Sequence, residues 1–536
     1  MFRQIFVYLT DAIVAYILQN ILRQDMIRDI VERQSEFFRS GKTLPVEYRI
    51  HTLKALREAI VRMEPEIEAA LKEDLGKSPV ESYMCETGMA LQELSCALKN
   101  IRKWSRTRRV RTPLAQFPAK SYIIPEPYGN VLIMSPWNYP FLLCISPLIS
   151  AIAAGNTAVI KPSAYSPATS RIISGLVSRV FDPGHVAVVE GGRDVNSDLL
   201  EQKFDYIFFT GSKAVGRLVM GKAAAHLTPV TLELGGKSPV IVDRTGDLRV
   251  SARRIVFGKF LNCGQTCVAP DYVLVDNEVA DRFIEMCKEE TLLMYGFDAM
   301  ANEDYGHIIN RKHFDRLSAL ISGCMAAGNG RNGHEGICFG GRTDAESLRI
   351  EPTIIRLSPE IIRPTARPAN TSGHEISGST GFAGIGSGND ADQTVRQPAV
   401  AGMQGQEAVM SDEIFGPLLP VIPYSDINDA VEYIKRNPRP LATYIFTGDR
   451  SFKKDLLRRL RFGGGCINDT IIHLATEQMP FGGVGESGMG HYHGHYGFET
   501  FSHLKSIVDK PTWLDLPMRY QPFTALKDRL IRTFLK

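Results

Sequence analysis

Cysteine is scarce and scattered. The 536 residues include nine (Cys85, Cys96, Cys144, Cys263, Cys267, Cys287, Cys324, Cys338 and Cys466), an odd number at irregular spacing, with no CxxC pair and no nearby histidine ladder. That excludes a disulfide framework and a zinc site, so no metal is expected, and it points to a reducing compartment, the cytoplasm. Net charge is missing too: 62 Lys+Arg against 59 Asp+Glu leave +3, and no nucleic-acid partner is expected of so balanced a chain. Long apolar runs are also absent. The apolar stretch near the amino terminus is split by Asp11 into 5–9 and 12–18, each far short of the ~20 residues that cross a bilayer. No small-x-small cleavage site follows it. Residues 1–25 are read as an extension that docks on the body, lies along an interface or is dispensable.

What is present has the composition of a large globular protein, with 44% hydrophobic and 23% charged residues close to the usual averages. Its length suits about two to four domains. From 45 to 107 the pattern is helical: Leu53, Leu56, Ile60 and Met63 form one stripe, and Met84, Leu91, Leu94 and Leu98 another. Two long helices are expected there. Short apolar runs then alternate with helical stretches (131–134, 141–154, 158–160, 170–181, 186–189, 206–209, 214–225), and a second such series starts at 230–234 and 239–242. Strand and helix in succession predict two α/β domains with parallel sheets. No leucine occurs between Leu357 and Leu418, and 363–408 reads as a disordered surface insertion, too poor in apolar side chains to offset its ordering entropy. At the carboxyl end, Leu526, Leu530, Ile531, Phe534 and Leu535 alternate with Lys527, Arg529, Arg532 and Lys536. This predicts a helix packed on the body, with peripheral contact to a membrane surface as the second reading.

Several segments carry residues suited to chemistry. FGKFLNCGQTC (257–267) runs from a helical pattern into a glycine turn that leaves Cys267 just beyond it; a loop cysteine can be exposed and lowered in pKa, although most cysteines in a reducing cell are small core residues. Cys263, on the helical side, reads as packing. TLELGGK (231–237) sets Glu233 at the end of an apolar strand before paired glycines, where a raised pKa would suit a general base, or where the carboxylate simply caps a helix. In SPWNYP (135–140) the stiff turn can hold the Asn138 amide as a fixed donor, while asparagine is also common in turns for backbone reasons. KPS (161–163) and FTGSKAVG (209–216) both sit where dinucleotides bind in open α/β sheets, but the second is not a GxGxxG fingerprint. EIFGP (413–417) and PFGGVG (480–485) mark turns when taken alone.

Taken in order, PWNYP, KPS, FTGSKAVG, LELGGK, GQTC, EIFGP and PFGGVGESGMG resemble the aldehyde dehydrogenase superfamily. SPWNYPF, VTLELGGKSP, NCGQTCVAPDY, GCINDT and FETFSH resemble its class 3, fatty-aldehyde-dehydrogenase-like branch. The resemblance covers essentially 26–521. It implies an α/β fold in which a Rossmann-type NAD(P)-binding domain (26–112 and 129–232) joins an α/β catalytic domain (233–465, with the insertion 363–408). A small β bridging element (113–128 and 491–508) would pair subunits into a homodimer. Carried over by motif, Cys267 is the nucleophile, Glu233 the base that activates water, and Asn138 with the Cys267 backbone amide the oxyanion hole. Lys161 and Glu413 hold the two riboses of NAD or NADP, Gly211 to Gly216 lie beside the pyrophosphate, and Ser163, Ser212 and Phe415 also touch the cofactor. The implied reaction is oxidation of a small-molecule aldehyde, aliphatic of medium or long chain or aromatic, to the acid.

The sequence departs from the family in two places. Ala164 stands where many members carry a glutamate for the adenosine ribose, which leaves NAD against NADP open. The insertion enters directly ahead of EIFGP and is expected to loop out harmlessly. Two other functions use the same residues: a cofactor-independent cysteine esterase, which would not need the sheet-end cofactor motifs, and an inactive dehydrogenase relic broken by the insertion.

Overall fold

The computed structural model describes residues 2–327, 335–363 and 406–535, with 2–17, 326–327 and 406 in backbone only. The first helix, Phe2–Arg39, carries the expected extension straight into the body. Ile27 and Val31 on it are buried, Gln34 donates to the Ala158 carbonyl at 2.7 Å, and Arg23 pairs with Asp198.

The region expected to form two long helices is divided further. Val46–Arg62 buries Leu53, Leu56 and Ile60 as its stripe requires. A second helix, Glu64–Leu75, begins at once, with a proline in its first turn, and stops at Gly76, whose left-handed backbone (φ +70°) and close approach to His307 both require glycine. The chain then passes through a short helix, Pro79–Ser82, and a π-helical turn, Tyr83–Thr87, before the long helix Gly88–Trp104. A π turn inserts one residue and rotates what precedes it. Met84, expected in the stripe with Leu94, is therefore 45% exposed, and Glu86 faces inward fully buried.

The predicted strand and helix alternation builds two parallel sheets. The first has six strands. Asn130–Met134, Thr157–Lys161 and Val186–Val188 lie side by side on one flank, and Tyr206–Gly211 and Val230–Leu234 follow on the other side of Asn130–Met134. Gly488–Met489 adds an antiparallel edge. The direction of winding reverses between Asn130–Met134 and Tyr206–Gly211, which makes the carboxyl ends of these strands the place for a ligand. The second sheet has seven strands, in the order Gly336–Phe339, Thr353–Arg356, Leu418–Tyr424, Tyr272–Asp276, Pro239–Val242, Ala442–Phe446 and Gly464–Ile467, parallel except for the first pair. Five central strands, among them Asn130–Met134, Thr157–Lys161 and Leu418–Tyr424, are buried along their whole length, which is why their sequences read as unbroken apolar runs rather than alternations.

A third, antiparallel sheet joins Arg108–Val110, Lys120–Pro127 and Ser502–Asp509. Within the expected bridging segment 491–508, Gly494–Thr500 is a helix, and Gly497 lets it approach Ser150 on the helix Leu142–Ala154. The expected insertion 363–408 lies almost entirely outside the described residues. Its last three positions open the helix Gln406–Ser411, in which Ala408, Val409 and Met410 are buried.

The carboxyl-terminal helix forms over Ala525–Phe534, capped by Thr524. Contrary to expectation it does not pack on the body: none of its residues is buried, and Leu526 is 67% exposed. Its amphipathic pattern specifies a helix without specifying a partner. Among the described residues no helix is long and apolar enough to cross a membrane.

Candidate active site

Glu233 lies one residue from the end of Val230–Leu234, between Thr210 on one neighbouring strand and Gly488 on the other. It is buried and neither carboxyl oxygen has a hydrogen-bond partner. Burial pushes this carboxyl well above the usual range. An unpartnered buried carboxyl costs stability, so it persists for what it does in the neutral form or on losing its proton.

Cys267 follows a turn built from three consecutive left-handed residues, Asn262 (φ +51°), Cys263 (φ +52°) and Gly264 (φ +72°). Only glycine fits at the third, because a Cβ there would collide with the Gly416 carbonyl. Side-chain hydrogen bonds hold the strained pair before it. The Asn262 backbone N–H donates to Glu81 at 3.0 Å, Gln265 Nε2 donates to the carbonyls of Asn262 and His307, and the Ile309 N–H donates to Gln265 Oε1. The Tyr444 hydroxyl donates to the Val268 carbonyl at 2.5 Å. The thiol does not have the lowered pKa that a loop cysteine suggested. It is pushed up to about 12, first by burial and then by the carboxylates of Glu413 and Glu233, while the backbone N–H groups of Cys267 and Val268 oppose the shift. The half-buried Cys267 thiol thus lies within electrostatic reach of both Glu233 and Glu413. Cys263 is buried packing, as expected.

Asn138, also buried, donates through Nδ2 to the Gln265 carbonyl at 3.0 Å. One amide proton is thereby fixed toward the turn that bears Cys267, and the other is left to donate elsewhere. Beside it the Tyr139 hydroxyl bonds Thr266 at 2.7 Å.

The cofactor candidates fall on the carboxyl edge of the six-stranded sheet. Lys161 ends its strand buried, and its Nζ donates to the Pro162 carbonyl at 2.6 Å, only part of what an ammonium can donate. Burial lowers it to about 8. Ser163 accepts from the Tyr165 N–H in the following turn. Gly211 ends the next-but-one strand, where a Cβ would meet the Phe209 ring at 2.6 Å. Ser212 caps the helix Lys213–Ala224, and Gly216 brings that helix against Leu234, where a Cβ would meet the side chain at 2.8 Å. Glu413 arrives from the other sheet. Burial and the nearby Asp271 carboxylate raise it to about 8, and its Oε1 has no partner. Phe415 adopts a left-handed backbone (φ +48°), a strained choice for an aromatic residue, with Trp137 edge-on at 5.3 Å. A buried amine with donors to spare, a buried carboxyl oxygen without a partner and a glycine-opened strand-to-helix turn at the point of reversed winding together fit a dinucleotide, whose riboses donate and accept and whose phosphates suit a helix start.

Sequence reasoning missed the layer beneath these residues. Lys77, Glu81 and Glu86 are buried charged groups from one short segment, and all three reach the turns that bear Asn138 and Cys267. Asn262 and Gln265 stood inside a quoted motif, but nothing in the order of residues shows that they bond across it.

The aldehyde dehydrogenase family model matches residues 18–362 and 375–507, so its one break falls within the expected insertion. A Staphylococcus aureus protein, 4,4'-diaponeurosporen-aldehyde dehydrogenase, is 42% identical over 93% of this chain and 97% of its own length. Aldehyde dehydrogenase family 3 member H1 of Arabidopsis thaliana is 39% identical over 95% of this chain and 94% of its own. Among solved structures, the substrate-bound state of Staphylococcus aureus AldH is similar with a TM-score of 0.83 and 40% identity, covering 95% of this chain and 99% of that one.

Proposed function

The chain belongs to the aldehyde dehydrogenase family, an oxidoreductase family that uses NAD or NADP, and from that premise we propose that it oxidises aliphatic medium- or long-chain or aromatic aldehydes to acids through a thiohemiacetal and a thioester on Cys267. The observation that carries this reading is the clustering of three groups: the half-buried Cys267 thiol, the Asn138 amide fixed to the turn that bears it, and the buried, partnerless Glu233 carboxyl within electrostatic reach of it.

An aldehyde has no leaving group, so the carbon must first become tetrahedral. The Cys267 sulfur attacks the carbonyl, and the growing alkoxide is met by Asn138 Nδ2–H and the Cys267 backbone N–H. The thiol's proton needs an acceptor, because a thiol raised to about 12 is not ionised at neutral pH. Glu233 and Glu413 are the adjacent carboxyls. Once either is protonated it no longer repels the thiolate, so the three groups titrate as a set. NAD or NADP would supply the hydride acceptor that the adduct needs in order to become a thioester. Lys161, Ser163, Gly211, Ser212, Gly216, Glu413 and Phe415 would hold it. Glu233, ionised again after releasing to solvent any proton it took from the thiol, then takes a proton from the water that cleaves the thioester, and the Cys267 sulfur leaves as the thiolate.

The name of the Staphylococcus aureus relative, 4,4'-diaponeurosporen-aldehyde dehydrogenase, supports an aldehyde as the substrate. A homodimer formed through the three-stranded sheet, where Leu504, Ile507 and Val508 are exposed, and a cytoplasmic location, with all nine cysteines free, complete the proposal. The test is nicotinamide reduction by the purified protein with NAD and with NADP over aldehydes of increasing length, beside Cys267→Ala. Reduction abolished by the substitution supports the mechanism. Ester cleavage by Cys267 with no reduction of either cofactor would overturn it.

A further inference from the structure

We propose that the buried Lys77–Glu86 ion pair is the positioning unit for the oxyanion donor, locking the backbone at Asn138 and at the helix start that follows it. The proposal rests on the role given to Asn138 above.

Lys77 follows the left-handed Gly76, and Glu86 sits in the π turn Tyr83–Thr87, a rare helix distortion that recurs at functional sites. Their side chains are 1% and 0% exposed and in direct contact. Lys77 Nζ also donates to the Asn138 carbonyl at 3.0 Å and lies 4.1 Å from the centre of the Tyr139 ring. The other oxygen of Glu86 accepts the backbone N–H groups of Phe141 at 2.9 Å and Leu142 at 3.0 Å, where the helix Leu142–Ala154 begins without a side-chain cap of its own. One ammonium therefore grips the chain at Asn138 and its partner carboxylate grips it at 141–142. Asn262 Nδ2 donates to the same Asn138 carbonyl at 2.8 Å, tying the grip to the turn that leads to Cys267.

Stability alone is a poor reason for this pair. A buried ion pair is often no more stabilising than apolar side chains of the same volume, and a helix start can be capped by a local serine or aspartate. What the pair adds is a fixed carbonyl on the residue that bears the donor amide and a fixed helix start three residues on, so the short turn between them cannot shift. A donor displaced by about 1 Å loses on the order of a hundredfold in rate.

The experiment is a double-mutant cycle on the full-length enzyme, read both as aldehyde oxidation with saturating NAD and as cofactor-free cleavage of an activated ester such as p-nitrophenyl acetate. Lys77→Met should lower kcat in both assays by about ten- to a hundredfold, with the KM for NAD little changed, and Lys77→Arg should restore part of the loss. In an Asn138→Ala background Lys77→Met should cost nothing further, since the group it positions is gone. If Lys77→Met does not fold, Lys77→Met with Glu86→Gln, uncharged on both sides, carries the same measurement. Losses that multiply in the Asn138→Ala background, or a Lys77→Met enzyme changed only in its KM for NAD, would overturn the proposal. An Asn138→Ala enzyme of full activity would remove the oxyanion role itself, and this inference with it.

Discussion

The carboxyl group of Glu413 rests directly against the backbone of Gly235, so closely that a Cβ on Gly235 would overlap it. The two residues belong to different sheets: Gly235 follows the strand Val230–Leu234, and Glu413 precedes Leu418–Tyr424. The contact therefore sets how the two halves of the site meet. Gly235→Ala should push the carboxyl out of place and raise the KM for the cofactor by about tenfold, equivalent to ~1.4 kcal/mol, with a smaller change in kcat. An unchanged cofactor KM would show that Glu413 is placed without this contact.

Asn138→Ala removes the amide donor while leaving the turn's backbone bonds in place. Loss of one such donor is typically worth roughly 3–4 kcal/mol of barrier, so kcat should fall by a few hundredfold. Steady-state rates with one aldehyde and saturating cofactor decide it, and an unaltered kcat would take Asn138 out of the reaction.

Glu413 makes stability depend on pH in a direction opposite to most carboxylates. Its folded pKa, about 8, lies above the ordinary 4.5 because of burial first and the Asp271 carboxylate second. A raised carboxyl favours the folded state fully below the unfolded value, and that contribution is lost as pH rises through the folded one. The buried histidines His185, His313 and His473, lowered to about 4, act in the opposite window, losing stability as pH falls below 6.5. Between about pH 5 and 9 the Tm of Glu413→Gln should therefore decline less than that of the unsubstituted protein. Parallel Tm profiles would contradict the raised pKa.

Ala164 is exposed in the turn after Lys161. With no carboxylate there to repel a 2′-phosphate, NADP should be accepted as well as NAD. Ala164→Glu should raise the KM for NADP by about tenfold or more while leaving that for NAD within about threefold. Equal changes for both cofactors would place the adenosine ribose elsewhere.

What the sequence made legible, and what it hid, follows from whether a residue looks out of place in its surroundings. Glu233 is conspicuous because a carboxylate near the end of an apolar strand before two glycines must be either a structural acceptor or a reactive group, and the structure leaves both of its oxygens without a hydrogen-bond partner. Lys77 and Glu86 lie in a polar, helix-forming stretch where charge normally faces water, so nothing marks them as buried. Met84 was assigned to the wrong face because a π turn rotates the stripe, and hydrophobic periodicity assumes a regular helix. The tail helix shows the remaining limit: amphipathicity gave the helix and its faces, whereas its exposure depends on what else is in reach. The alternation of strand and helix survived best, because buried parallel strands impose it along many residues at once.

The left-handed turn at Asn262, Cys263 and Gly264 has a consequence for the newly made chain. Its conformation is held by Glu81 and Asn138, which lie far away in sequence, and by the loop of His307 and Ile309 that emerges later. Until all of these have come together, Cys267 is an ordinary cysteine in an ordinary loop, with the ordinary thiol pKa near 8.5. Folding therefore quiets this sulfur by raising its pKa: a half-assembled chain, with more thiolate at Cys267, is expected to be more open to stray oxidants and electrophiles there than the finished one.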